Sequence, residues 1–141
     1  MPSIFTRIIQ GELPGRFVWR DERAVAFLTI APLQEGHTLV VPIEEVDHWI
    51  DLEPELMAHL SEVSHKVAKA AQQAFDPVKV GLMIAGLEVP HVHLHVVPIR
   101  HLHDLDFSRA DSNVPAEKMD AAAAKLRAAL RDHGHPETVD A

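Results

Sequence analysis

The sequence predicts an α+β domain, in which a sheet of short antiparallel strands packs against one long helix and a second helix follows near the C-terminus. In the first third of the chain, Pro and Gly residues separate short runs that are rich in β-formers. In the middle of the chain, apolar side chains recur every three to four residues over a single long segment, which is the period of an amphipathic helix. Short strands combined with separate helices are typical of the α+β class.

The strands are predicted from short apolar or alternating runs that end at turn-forming residues. They cover residues 17–19, 25–30, 38–41, 79–84 and 91–99. The long helix is predicted over residues 54–75, because Pro54 suits a first helical turn and the Asp76-Pro77 pair cannot continue it.

A narrow apolar stripe predicts the second helix over residues 115–132, and Gly134 is its natural stop. Residues from His135 onward are expected to fray. The chain has 141 residues, the size of one ordinary domain, and no repeat or linker divides it early. We therefore predict one domain over residues 1–110 and a helical extension over residues 111–141 that packs on the same domain.

The composition excludes several classes of protein. Hydrophobic residues make up 47% and charged residues 24% of the chain, which excludes disordered, collagen-like and coiled-coil proteins. The longest apolar runs are far shorter than the roughly 18 residues that a membrane span needs. The N-terminus lacks the basic start and apolar core of a signal peptide. These features predict a cytoplasmic protein that has no membrane partner.

The charge and the residue counts narrow the chemistry further. The formal net charge is −8 and no cluster of Lys or Arg offsets it, which disfavours a nucleic-acid polymer as a partner but leaves a small anionic ligand possible. The chain has no cysteine, which excludes disulfides, a thiol nucleophile and a thiolate zinc site. Its eleven histidines require an explanation.

Three of these histidines alternate with apolar residues in the segment 91–96. This alternation predicts a strand that turns Val92, Leu94 and Val96 toward the core and His91, His93 and His95 toward the other face. Successive histidines on such a strand are about 6.6 Å apart. Thr, Lys or Glu usually occupy the outer face of a surface strand, so three imidazoles there indicate a function.

The pattern alone leaves three interpretations open. The histidines could be structural groups that satisfy backbone partners. Two of them could bind a metal with a distant third ligand such as His37 or Glu88, although the outer two Cα atoms lie about 13 Å apart and the nitrogens on one zinc only about 3.3 Å apart. Finally, a neutral imidazole is a competent nucleophile toward phosphorus, and a neighbouring imidazole can stabilise the charge that develops.

Residues 91–97 resemble the motif His-φ-His-φ-His-φ-φ of the histidine-triad (HIT) family, where φ is apolar. Residues 4–14, 26–32 and 36–42 are similar to further segments of that family, in the family's order, so the resemblance covers about residues 3–101. It implies a HIT-like fold with an antiparallel sheet of about five strands packed against one long helix.

The resemblance also implies a function. Members of the family hydrolyse or transfer a nucleotide from a nucleoside phosphoramidate, phosphoanhydride or phosphoester through a nucleotidyl-histidine intermediate. His93 would be the nucleophile, His95 would contact the phosphate and leaving group, and His91 would orient His93. His37 would lie across the pocket. No cofactor or metal is implied, and the expected assembly is a homodimer. A nucleotide-binding regulatory module with little catalytic activity is the alternative.

Six further residues are candidates for substrate binding. By resemblance, Phe5, Ile8, Phe27 and Leu39 could form the walls of a base pocket, although each of them suits a core equally well. Thr29 stands where many family members have an acidic residue for the ribose hydroxyls. Glu88 stands where many have Ser or Thr, and it could orient a triad histidine and raise its pKa or be a surface carboxylate.

Overall fold

The computed structural model describes all 141 residues. The chain has five strands, β1 (Phe17–Arg20), β2 (Ala24–Leu28), β3 (Thr38–Pro42), β4 (Lys79–Met83) and β5 (Leu94–Ile99). They form one sheet in the order β1-β2-β3-β5-β4, and all neighbours are antiparallel. The α-helices are α1 (Ile4–Ile9), α2 (Pro54–Phe75) and α3 (Ala116–Asp132). The predicted α+β class and the five-stranded sheet are confirmed.

The first face of the sheet is covered by α2, whose bounds match the prediction. Its buried residues recur every three to four positions and form one stripe that packs on the sheet, for example Leu56, Leu60, Val63 and Val67. The helix α3 lies against α2, and its buried side chains belong to the same cluster of 22 core residues. We call this side of the sheet the core face.

The opposite side of the sheet carries a much smaller apolar cluster, and we call it the histidine face. Six buried residues form this cluster: Phe5, Phe17, Val25, Phe27, Leu39 and Val41. The short helix α1, which the sequence analysis did not predict, lies over it. Ser3 caps α1, because its Oγ accepts a hydrogen bond from the backbone N–H of Thr6 at 3.0 Å.

The strand predicted over residues 91–99 begins later, at Leu94. The first three residues leave the sheet because the backbone N–H of Val92 donates to the carbonyl of Val46, which lies beyond the end of β3. Val92 is nevertheless buried in the core together with Leu94 and Val96, as the alternation predicts. The predicted strands over 25–30 and 79–84 also end earlier, at Leu28 and Met83.

The expectation that the C-terminal tail frays is wrong. Gly134 ends the last helix with a φ of 81°, but the following residues return to β1. The N–H of Arg20 donates to the carbonyl of Glu137, and the N–H of Val139 donates to the carbonyl of Val18. The ring of His135 packs edge-on against Trp19 at 5.4 Å between centroids. The tail is ordered because β1 offers it these backbone partners.

None of the helices combines the length and the apolar character that crossing a membrane requires.

Candidate active site

A cleft of about 550 Å³ lies on the histidine face, under α1. Its floor includes a row of side chains in register across three strands, namely His95, Leu39 and Phe27. Two strand spacings separate the ends of this row, which corresponds to about 10 Å. The cleft therefore has an imidazole end and an apolar end.

The predicted substrate-binding residues all line this cleft, together with His93 and His95: Phe5, Ile8, Phe27, Thr29, Leu39 and Glu88. The ring of Phe5 joins the two ends, since its centroid is 5.6 Å from that of Phe27 and 4.8 Å from that of His93. Glu88 is exposed and makes no hydrogen bond or ion pair with a histidine. The structure therefore gives no contact through which Glu88 would orient a triad histidine.

His93 is held by the backbone of its own segment. Its Nδ1 is 2.7 Å from the carbonyl oxygen of His91. A carbonyl can only accept, so Nδ1 carries the proton and the lone pair of the neutral ring is on Nε2. This Nε2 has no hydrogen-bond partner in the protein, and the ring lines the cleft. Its unused lone pair is available to a ligand.

His91 does not line the cleft and connects three segments instead. Its Nε2–H donates to the carbonyl oxygen of Pro42 at 2.7 Å, and its Nδ1 accepts from the hydroxyl of Ser3 at 2.6 Å. Burial lowers the pKa of His91, so the ring stays neutral. His91 thus ties the end of β3 to the start of α1, and it orients His93 through its carbonyl rather than through its ring.

His37 and His95 form a directed pair. The backbone N–H of Leu33 donates to Nδ1 of His37 at 3.0 Å, so the proton of His37 is on Nε2. That Nε2 lies 3.0 Å from Nδ1 of His95 and donates to it. The proton of His95 is therefore on its own Nε2, which is buried and has no partner. The ring that carries this unpartnered N–H donor is thus a neighbour of the His93 ring, with 4.9 Å between the ring centroids.

Burial keeps this pair neutral. Desolvation, strengthened by repulsion from the neighbouring imidazoles, lowers the pKa of His37 to about 3. Desolvation and His93 lower the pKa of His95 to about 4. At neutral pH both rings consequently keep the single protons that their hydrogen bonds require.

One contact to the site was missed by the sequence analysis. The ring of Phe107 packs edge-on against His95, with 4.9 Å between centroids. Phe107 lies in a short 3-10 turn (Phe107–Arg109), between the last predicted strand and the second predicted helix. It is the only aromatic residue after Phe75, and a single Phe in a polar segment was the available signal.

The hydrogen bonds also bear on the metal interpretation. Both nitrogens of His91 and His37 have partners, and Nδ1 of His93 and of His95 is bonded within the protein. Only Nε2 of His93 keeps a free lone pair in these tautomers. The structure contains no group of three or more His, Asp or Glu side chains placed to hold a metal ion.

Comparison with known proteins identifies the family of this chain. The model of the HIT domain matches residues 10–102, which is about two thirds of the chain. The chain belongs to the histidine triad family. An uncharacterized HIT-like protein of Methanocaldococcus jannaschii is 37% identical to it over 99 residues, with 67% of this chain and 77% of the relative covered.

Two further relatives of this HIT protein are informative. The adenosine 5′-monophosphoramidase of Schizosaccharomyces pombe is 33% identical over 99 residues, with 70% of this chain and 74% of the relative covered. A solved structure, that of a Zn-bound histidine triad family protein from Mycobacterium smegmatis, superimposes with a TM-score of 0.79 at 29% identity. It covers 92% of this chain and 94% of that one. The predicted family is confirmed.

Proposed function

We propose that this HIT protein hydrolyses or transfers the nucleotide of a nucleoside phosphoramidate, phosphoanhydride or phosphoester, with His93 as the nucleophile. One observation carries the proposal, namely that two neighbouring rings line one cleft, His93 with a free lone pair on Nε2 and His95 with an unpartnered Nε2–H. A nucleophile next to a fixed donor is the arrangement that covalent phosphoryl transfer needs.

The tautomers define the first step. Nε2 of His93 attacks the α-phosphorus, a P–N bond forms, and the leaving group departs with the electron pair of its bond and takes a proton from solvent. The positive charge that develops on His93 is stabilised by the carbonyl of His91, which accepts from Nδ1–H. His95 donates a hydrogen bond from Nε2 to a phosphoryl oxygen and keeps its proton, since Nδ1 already accepts from His37.

Water completes the cycle. It attacks the phosphorus of the nucleotidyl-histidine, the P–N bond breaks, and its electron pair returns to Nε2 of His93. One proton of the water is released to solvent. The protein ends in its starting tautomers, so His37 and His95 need not exchange protons during turnover. Splitting one displacement into two lowers each barrier.

The shape of the cleft supports a nucleoside monophosphate as the transferred group. The imidazole end would take the phosphate, and the apolar end would take the base between Phe5, Ile8, Phe27 and Leu39. Thr29 offers a hydroxyl to the sugar between them. The relative in Schizosaccharomyces pombe is an adenosine 5′-monophosphoramidase, which favours a phosphoramidate as the first substrate to test.

Trapping the intermediate tests this function. The protein is mixed with adenosine 5′-phosphoramidate and quenched in alkali, where phosphohistidine survives, and peptides are then analysed by mass spectrometry. We expect an adenylyl group on His93. His93→Ala should show neither adduct nor turnover, whereas Leu102→Ala, at an exposed position outside the cleft, should behave like the wild type.

Two outcomes would overturn the proposal. Turnover by His93→Ala at the wild-type rate would exclude His93 as the nucleophile. Binding of adenosine monophosphate with no adduct and no turnover would support the nucleotide-binding regulatory module instead.

We also propose that the protein forms a homodimer through the free edge of β4 and the adjoining side of α2. The outer edge of β4 has no strand partner, and its Leu82 is 57% exposed. A groove of about 340 Å³ lies between β4 and α2 and includes Ser64, His65 and Ala68 in its walls. A second copy that continues the sheet would cover both features.

The oligomeric state tests this interface. Sedimentation of the wild type should give a dimer, and Leu82→Lys should give a monomer because it places a charge in the apolar contact. Leu102→Lys is the matched control, since Leu102 is even more exposed but lies outside the groove. A monomeric wild type would contradict the proposal.

A further inference from the structure

Asp104 is a buried carboxylate that the proposed reaction does not use. It lies in the 3-10 turn Leu102–Leu105, just after β5, and is 6% exposed. Its Oδ2 accepts from the backbone N–H of Arg100 at 2.8 Å and of His101 at 3.0 Å. These bonds hold the pKa of Asp104 below its usual range, so the side chain is ionised at neutral pH.

The other oxygen of Asp104 connects to His37. Oδ1 accepts from Nε2 of Gln34 at 3.3 Å, and the same Nε2 donates to the carbonyl of Leu33 at 2.8 Å. The backbone N–H of Leu33 is the group that fixes the tautomer of His37. A continuous chain of contacts therefore runs from Asp104 through Gln34 and Leu33 to His37, and from there to Nδ1 of His95.

The backbone that Asp104 holds also reaches His95 from the other side. Phe107 follows the Asp104 turn by two residues, and its ring packs against His95. His95 is thus held between His37, which donates to its Nδ1, and Phe107, which contacts its ring. The segments that provide these two contacts both lie next to the carboxylate of Asp104.

We propose that Asp104 is a positioning residue that keeps the proton of His95 on Nε2 of a ring that lines the cleft. Its consequence for turnover rests on the proposed function. If Leu33 moves and its N–H no longer donates to His37, the proton of His37 can shift to Nδ1. His37 then accepts from Nδ1–H of His95, and Nε2 of His95 loses the hydrogen that a phosphoryl oxygen would accept.

Asp104→Asn tests this link selectively. The amide oxygen can still accept from Arg100 and His101, so the turn is kept, but its NH₂ group then opposes the NH₂ group of Gln34. Gln34→Met removes the same link while leaving Asp104 unchanged, which keeps the test valid if Asp104→Asn folds poorly. Asp111→Asn is the matched control, because Asp111 is exposed and accepts only from its own turn, at the N–H of Asn113.

The primary readout is the ring tautomer, measured by two-bond ¹H–¹⁵N NMR correlations of the free protein. We expect protonated Nε2 on His95 in the wild type and in Asp111→Asn, and a mixture of tautomers in Asp104→Asn and Gln34→Met. The kcat of those two variants should fall about tenfold, equivalent to about 1.4 kcal/mol, with KM changed much less.

Each result decides the question. A wild-type tautomer of His95 in Gln34→Met and in folded Asp104→Asn would overturn the inference and show that Asp104 only caps its turn. The tautomer is read without substrate. A protein that fails to form the adduct would therefore refute the proposed function but leave the positioning role of Asp104 to be judged by NMR alone.

Discussion

The two faces of the sheet use the same strands for different purposes. The core face carries a large apolar cluster of 22 buried residues, most of them from the sheet, α2 and α3. The histidine face has a cluster of six under the short helix α1, beside four buried imidazoles. Leu94 and His95 are adjacent in β5 and both buried, yet each belongs to a different face. The comparison indicates that stability is concentrated on one face and chemistry on the other.

This separation has a physical reason. A buried polar group destabilises a fold unless it is hydrogen-bonded, and Nε2 of His95 has no partner. A face that holds such a group contributes less to folding than an apolar face of equal area. The apolar burial on the core face stabilises the fold enough to offset the cost of the unpaired donor on the histidine face.

The largest effects are expected for substitutions of Leu94, which should lower stability, and of His95, which should lower activity. Leu94→Ala should lower the free energy of unfolding by about 2–5 kcal/mol, because it leaves a cavity in the large cluster, and should leave kcat/KM per folded molecule unchanged. His95→Ala should lower kcat by about 10²–10³-fold, because it removes one hydrogen-bond donor to the phosphoryl group, and should destabilise less than Leu94→Ala. Urea unfolding and steady-state kinetics measure both. Equal losses of activity in the two variants would break the comparison.

The histidine face should make stability depend on pH. The ordinary pKa of 6.5 falls to about 3 for His37 and about 4 for His95 in the folded protein. As pH falls below 6.5, the unfolded chain binds protons that the folded chain excludes, so the free energy of unfolding decreases by about 1.4 kcal/mol per pH unit for each histidine. Above pH 6.5 this contribution is fully present.

Urea unfolding from about pH 7 down to about pH 4 measures this slope. His37→Gln should reduce it, since one of the rings with a lowered pKa is removed, whereas Leu94→Ala should lower stability equally at each pH. A slope that is unchanged in His37→Gln would contradict the assignment.

A smaller effect is expected where α1 joins the histidine face. Ser3→Ala removes the N-cap of α1 and leaves Nδ1 of buried His91 without its hydroxyl donor. The free energy of unfolding should fall by about 1–3 kcal/mol. Ser112→Ala, at an exposed position in an irregular segment, is the control and should be neutral. Thermal unfolding distinguishes the two variants.

The smallest effect should be that of Glu88→Gln. Glu88 is exposed at the wall of the cleft and contacts no histidine, so removing its charge should leave the pH dependence of kcat/KM unchanged. A shifted profile in the variant would show that Glu88 acts on the triad after substrate binds.

The sequence determined which side of the sheet each residue of the triad segment faces, but not the geometry there. The alternation at 91–96 placed Val92, Leu94 and Val96 in the core correctly, although the strand starts only at Leu94. The tautomers could not be predicted, because they depend on the carbonyl of Pro42 and the N–H of Leu33, which are distant in the chain.

Short elements were missed for a related reason. Helix α1 and the 3-10 turns around Asp104 and Phe107 are too short to show a period. They form where a few of their side chains contact residues that are distant in the chain. Ser3 hydrogen-bonds to His91, and the ring of Phe107 packs against His95. The helix α2 is long enough for its period to be visible in the sequence, and its bounds match the prediction.

The return of the C-terminal tail to β1 has a consequence for how copies of this chain can meet. Residues 137–139 occupy outward-facing backbone groups of β1, so that border of the sheet is closed to a foreign strand. The border at β4 is open. A sheet with one open border can pair with one other sheet, and the pair then has no free strand edge. Association by strand pairing therefore stops at two copies of the chain and cannot continue into a fibre.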